Sequence, residues 1–198
     1  MSTSGPGFDA QIDEIDDARR RQMEEASWRP GCPVRFEDLR VIRMPHWDFS
    51  GRVRDGELVI HERVADDVAG VFGVLFAARF PIERIEPIDA FEGDDDRSMA
   101  ANNTSGFNGR EIALRPGVWS QHAYGLAIDL NTVQNPYVRR DGEVLPASGR
   151  RFLDRDRDEP GMIRAGDAVV RAFAAIGWAW GGEWEPHKDY QHFSVGGD

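Results

Sequence analysis

The stretch SQHAYGLAIDLN, Ser120 to Asn131, sets His122 and Asp129 seven positions apart with Gly125 between them. The run AYGLAIDL alternates small and apolar residues roughly as a buried strand should. Asp129 closes that run, where a buried carboxylate needs a cation or strong donors. Near the end of the chain a second polar cluster, HKDYQHF, holds His187, Asp189 and His192. We read His122, Asp129 and His192 as three ligands of one zinc ion (Zn2+). Zinc favours imidazole nitrogen and carboxylate oxygen, and a catalytic site keeps a fourth position open for water. Such a water has its pKa lowered toward ~7. Asp189, three residues before His192, is placed to take its proton and pass it to a leaving amine. Taken singly, each residue has a plainer role. A His is more often a surface or core hydrogen-bonding group, Asp129 suits a turn after a strand, and Asp189 suits a cap.

Two motifs sharpen this. SQHAYGLAID fits S-x-H-x-x-G-x-A-x-D, a signature of the zinc D-alanyl-D-alanine carboxypeptidases, and the chain resembles that family. GWAWGGEWEPHKDYQHF is similar to the family's second signature, G-W-x-W-G-G-x-W followed by an acidic residue three before the last His. The resemblance extends over roughly residues 30 to 196. It implies that His122, Asp129 and His192 hold zinc and that Asp189 is the catalytic acid/base. His192, not His187, fits D-x-x-H-F. Many members carry Glu where Asp189 stands. Asp is similar to the form in the L-alanyl-D-glutamate endopeptidases and phage lysins of the group, so the bond cut stays open between the two. The family shares its fold with the zinc domain of hedgehog signalling proteins. The implied fold class is therefore α+β, a small and mainly antiparallel sheet with packed helices and zinc in an open cleft. The mixed strand and helix pattern is compatible with it.

The segment RSMAANNTSGFNGR, Arg97 to Arg110, is rich in hydrogen-bonding groups. As a plain loop it satisfies its own backbone; as part of a site it walls the substrate. Family members place an Arg upstream of the first zinc motif, for the oxyanion or the substrate carboxylate, so Arg110 and Arg97 are both candidates. Arg110 is favoured, because NNTSGFNGR resembles the N-N-T-S-x-F-N-x-R stretch of one subgroup. An Arg fork suits a carboxylate, since it can bind both oxygens. Ser120, Ser105, Asn108, Trp184 and Tyr190 complete the expected substrate-binding set, with Ser120 also orienting His122. NTVQNPY, Asn131 to Tyr137, resembles N-P-x-x-N-P-Y with Thr132 where Pro is usual.

With 198 residues, 40% hydrophobic and six Trp, the chain can build one core. A formal charge of -11 argues against nucleic acid, because phosphate binding needs a basic surface. The expected partner is a peptidoglycan stem peptide, with no membrane span and a monomeric chain. The single cysteine, Cys32, excludes an internal disulfide and suits a buried thiol. The N-terminus shows no apolar h-region, so no secretory signal is visible, and the longest apolar run, Val68 to Ala78, is too short for a bilayer. The site of action is expected at the cell wall by an undetermined route.

Along the chain, residues 1–8 read as disordered and Asp9 to Ser27 as a helix. WRPGCP, Trp28 to Pro33, breaks that helix. We therefore expect a tail and helix over 1–29 and the zinc peptidase domain over 30–198. LRVIRM (39–44) and ELVIH (57–61) read as a hairpin, and Ala65 to Phe80 as a buried amphipathic helix. Ile85 to Phe91 reads as a strand. The acidic run EGDDD, Glu92 to Asp96, is a solvated loop by default, with a calcium site as the sharper alternative. Val138 to Asp158 reads as a surface insertion and Ala165 to Ile176 as a second core helix. Trp178 and Trp180 share the inner face of a strand, and Trp184 and Tyr190 belong to the cleft rim.

Overall fold

The structure, a computed structural model, describes residues 7–112 and 115–197. Of the disorder expected over residues 1–8, residues 1–6 lie outside that range, and Phe8 instead packs on the main core against Phe76. The frame of the first half is a long antiparallel hairpin, with β2 at Leu39–Trp47 and β3 at Val53–His61. Its register runs from Leu39 opposite His61 to Trp47 opposite Val53. Leu39, Val41, Ile42, Met44, Leu58, Val59 and Ile60 are buried along it, as apolar residues on a covered sheet should be. The N-terminal helix expected over Asp9–Ser27 is in part a strand. β1 (Gln11–Glu14) pairs antiparallel with β2, and only Asp17–Glu25 is helical, as α1. QIDE lacks the β-branched, apolar character of a strand. It is held by the ladder and by ion pairs such as Arg43–Asp13 at 2.6 Å. Asp16 caps α1 by accepting from the Arg19 N–H, and Met23 of α1 is fully buried beside Leu39 and Phe36. The described residues before Trp28 thus contribute to the same sheet and core as those after it.

α2 spans Glu62–Ala77 and is capped by His61, whose Nδ1 accepts from the Arg63 N–H. Its stripe of Val68, Val71, Phe72 and Leu75 joins Ile42, Leu58 and Ile60 in the main core. The strand expected over Ile85–Phe91 reduces to β4, Arg84–Ile85, followed by a 3-10 turn over Ile88–Phe91. Pro87 precedes that turn and cannot donate to a ladder. α3 is Asp95–Ala100, with Asp94 accepting from the Arg97 N–H. Asp94, Asp95 and Asp96 of the acidic run are therefore a capped helix start, where carboxylates are favoured. β5, Asn103–Thr104, pairs parallel with β4.

The second half supplies the site. A 3-10 turn over Gln121–Tyr124 precedes β6, Ala127–Asp129, so the strand expected from Ala123 begins four residues later. β7 (Tyr137–Val138) and β8 (Val144–Leu145) form a short hairpin, and a 3-10 segment follows over Ala147–Phe152. The expected surface insertion is therefore partly folded, with Val144 and Phe152 buried. Arg155 clamps it, donating to the carbonyls of Gln134 (2.7 Å), Phe152 (2.9 Å) and Ile163 (2.6 Å). α4, Ala168–Ala175, is capped by Asp167 and packs on α2 and on β9, Trp178–Trp180. Trp178 and Trp180 are core residues. β10 is Lys188–Asp189 and β11 is His192–Val195. The sheets are β1-β2-β3, β6-β11-β9 and β10-β7-β8, plus the β4-β5 pair. The class is α+β as expected, with several small sheets in place of one. Among the described residues no helix is long and apolar enough to cross a membrane.

Candidate metal centre

His122 sits in the 3-10 turn that Ser120 caps, the Ser120 Oγ accepting from the His122 N–H. The turn ends at Gly125 in the left-handed conformation, φ 64°. A Cβ there would come within 2.7 Å of the His61 nitrogen, and that same N–H donates to the Gly125 carbonyl at 2.9 Å. Gly125 therefore lets the ligand-bearing turn lie directly on the end of β3. Asp129 ends β6 and His192 begins β11, and the two are cross-strand partners. Ser105 pairs with Asp129 from the other side through reciprocal backbone hydrogen bonds of 3.0 Å.

Three ligand atoms converge. His122 Nε2 lies 3.2 Å from Asp129 Oδ2 and 3.2 Å from His192 Nδ1, and His192 Nδ1 lies 3.0 Å from Asp129 Oδ1. Ligands ~2.0–2.1 Å from a tetrahedral ion stand ~3.3 Å from one another, so these spacings match such a set. The tautomers agree. His122 Nδ1 is 2.6 Å from the Gly106 carbonyl. A carbonyl can only accept, so Nδ1 carries a proton, and in the neutral ring Nε2 turns a lone pair toward the Asp129 carboxylate. Two acceptors in contact repel unless a proton or a metal cation lies between them. Among the described residues this is the one group of three His, Cys, Asp or Glu side chains suited to a metal ion, and all three are buried. The acidic run at 92–96 forms no such group.

The charges reinforce one another. Burial pushes the Asp129 carboxyl up, but the His122 and His192 imidazoles outweigh it and hold the group far below the usual carboxylate range. Burial works against a charged His122, yet Asp129 leaves its pKa raised. For His192 burial wins over Asp129, and the pKa is lowered.

Asp189 stands beside this group. Its backbone is held in β10 against Tyr137. Its Oδ1 is buried with no hydrogen-bond partner among the described residues. Burial, and then the charge of Asp129, drive its pKa well above the ordinary value, while Arg110 opposes them. Gly181 makes the fit possible, because a Cβ there would meet the Asp189 carbonyl at 2.6 Å and the His192 Cβ at 3.3 Å. Arg110 bears electrostatically on His122, His192 and Asp189 and pairs with Asp95 at 2.8 Å. Arg97 is directed elsewhere, toward Glu92, with its side chain about half exposed.

Of the expected substrate residues, Trp184 packs at a tilt against His192, with ring centroids 5.2 Å apart. Tyr190 turns away, toward Trp180 and the Arg155 guanidinium. Ser105 and Ser120 are buried and position ligands through the contacts above. Asn108 donates its N–H to the His122 carbonyl, and its buried Nδ2 has no partner among the described residues. His187, set aside as a ligand, contacts Trp184 and Tyr137. Sequence reasoning missed the Gly106 carbonyl and Asp95. A main-chain acceptor leaves no mark in side-chain identity, and Asp95 was hidden in an acidic run.

This arrangement, a buried His–Asp–His group with a carboxyl at its edge, could hold one metal ion and leave a fourth position open. Residues 114–195 match the model of a family described as D-alanyl-D-alanine carboxypeptidase. Both sequence motifs fall inside that match, which is narrower than the 30–196 of the resemblance. Neither the curated proteins nor the solved structures gave a match. The family match and the buried triad together support a zinc-dependent metallopeptidase.

Proposed function

We propose that the chain is a zinc peptidase that cleaves a peptide bond in peptidoglycan stem peptides, acting as a D-alanyl-D-alanine carboxypeptidase. The observation that carries this reading is the Asp189 carboxyl beside the triad, whose buried Oδ1 has no hydrogen-bond partner among the described residues. A module that only binds has no use for a proton carrier there.

His122, Asp129 and His192 would hold the zinc. Bound there, zinc supplies a Lewis acid that polarises the scissile carbonyl and acidifies water. As carboxylate, Asp189 takes a proton from the attacking water. As carboxylic acid, it returns that proton to the departing amine. Arg110 offers fixed positive charge to the substrate's terminal carboxylate or to the oxygen on which charge develops. The Gly106 carbonyl keeps the His122 lone pair aimed inward.

The test is digestion of stem pentapeptide and of crosslinked peptidoglycan by the zinc-loaded protein, with masses measured for all products. Loss of a single terminal D-alanine supports the carboxypeptidase. Cleavage between L-alanine and D-glutamate would instead assign an endopeptidase of the lysin type. No hydrolysis of any fragment by zinc-loaded protein would leave a binding module.

A further inference from the structure

Arg110 does not stand alone at the site. Its Nη2 donates to Asp95 Oδ2 at 2.8 Å, with both side chains about 30% exposed. Its Nε is buried with no partner among the described residues. Its carbonyl accepts from the Ser120 N–H, two residues before the first imidazole of the triad. Asp95 opens α3, whose position is fixed by the Asp94 cap. Two other acids of the run are differently occupied, since Glu92 pairs with Arg97 and Asp94 caps the helix.

We propose that Asp95 is a positioning residue: it holds the Arg110 guanidinium at the site and leaves the exposed remainder of the fork to receive an anionic oxygen of the substrate. This rests on the reading of the site as a peptidase acting on stem peptides. An arginine side chain has four torsions and considerable rotamer freedom in water. One guanidinium edge tied to Asp95 removes that freedom before substrate arrives, while the rest of the fork stays available. Asp95 also limits what Arg110 can do. It neutralises part of the charge, so Arg110 favours a ligand that can take up the free donor over a diffuse anion.

The variants are Asp95→Asn, Arg110→Ala and the double substitution, each zinc-loaded and assayed on a stem peptide with a free terminal carboxylate. Zinc content and melting temperature are measured alongside. A second readout is calorimetric binding of the stem tetrapeptide to metal-free protein. We expect Asp95→Asn to keep its zinc and its fold. It should lose between about tenfold and a hundredfold in kcat/KM, as misplacement of a substrate-orienting group does, and bind the tetrapeptide more weakly. In the Arg110→Ala background the Asp95 substitution should change neither quantity more than about twofold, because Asp95 acts through Arg110. Activity of Asp95→Asn within about twofold of the parent, or losses that multiply in the double variant, would overturn the proposal. Should Asp95→Asn unfold, Asp95→Ser is scored by the same criteria. Absence of turnover in the parent chain would sink the peptidase reading itself, and the tetrapeptide arm would still decide whether Asp95 orders Arg110.

Discussion

Asp129 and His192 lie directly opposite each other across β6 and β11, 63 residues apart in the chain and 3.0 Å apart at Oδ1 and Nδ1. Cross-strand partners share a face of the sheet, so the ladder itself delivers the second and third ligands together. His122 then joins from the turn that Gly125 seats on β3. Two of the three ligands are thus as rigid as the sheet, which favours a preformed site.

Metal removal should therefore cost stability as well as activity. Chelation of zinc-loaded protein should lower the melting temperature, since a ligand that binds only the folded state stabilises it by mass action. His122→Ala should reduce bound zinc from about one per chain to less than about a tenth, because two remaining ligands hold zinc weakly. Metal analysis after dialysis checks this, and full retention of zinc would remove His122 from the ligand set.

Asp189→Asn should separate binding from chemistry. The amide occupies the same volume and cannot carry the proton. Zinc content should be unchanged, while kcat falls by about 10²–10⁴-fold, the range for loss of a general acid/base. Steady-state kinetics with metal analysis on the same sample decide it.

The two arginines should differ sharply. Arg110→Ala should lower kcat/KM by about a hundredfold, as loss of a preorganised charge at a reacting centre does. Arg97→Ala should stay within about twofold, because its pair with Glu92 is an exposed one. Reversal of that order would reassign the cation.

Gly125→Ala should destabilise the fold by about 1–3 kcal/mol, from the left-handed backbone and from the 2.7 Å approach to the His61 nitrogen. Urea unfolding measures the change. A stability equal to the parent would mean that the turn can move off β3.

His46 gives the fold a pH dependence of its own. It is 4% exposed, and burial lowers its pKa below the usual imidazole value. The unfolded chain then binds the extra proton more readily than the folded one. Stability from this group is complete above the unfolded pKa of about 6.5. It declines as pH drops below that value, by up to about 1.4 kcal/mol per pH unit, and levels off at the folded pKa. His46→Gln should flatten unfolding free energy measured between about pH 7 and pH 5. An unchanged slope would place the titration elsewhere.

The convergence of His122, Asp129 and His192 and the α+β class were legible because both are written locally: the three residues lie in two short motifs, and the hairpin alternates visibly. The rest depends on distant partners. QIDE reads as helix because its strand state comes from pairing with Leu39–Trp47 and from Arg43, not from its own propensity. Val138–Asp158 reads as surface because the Arg155 clamp that folds it is satisfied mostly by main-chain carbonyls. Tyr190 reads as a rim residue because sequence cannot tell which way a ring points, and here Arg155 draws it aside. Arg97 and Arg110 look alike until Glu92 and Asp95 claim them separately.

The order of the ligands along the polymer sets when the centre can exist. His122 and His192 are 70 residues apart, and the last of them arrives on β11, which inserts between β6 and β9. A nascent polypeptide that has emerged only as far as β10 holds two ligands and an unfilled slot in the sheet. If the three side chains hold a metal, any early stop before His192 leaves that group one member short, however well the earlier hairpin has formed.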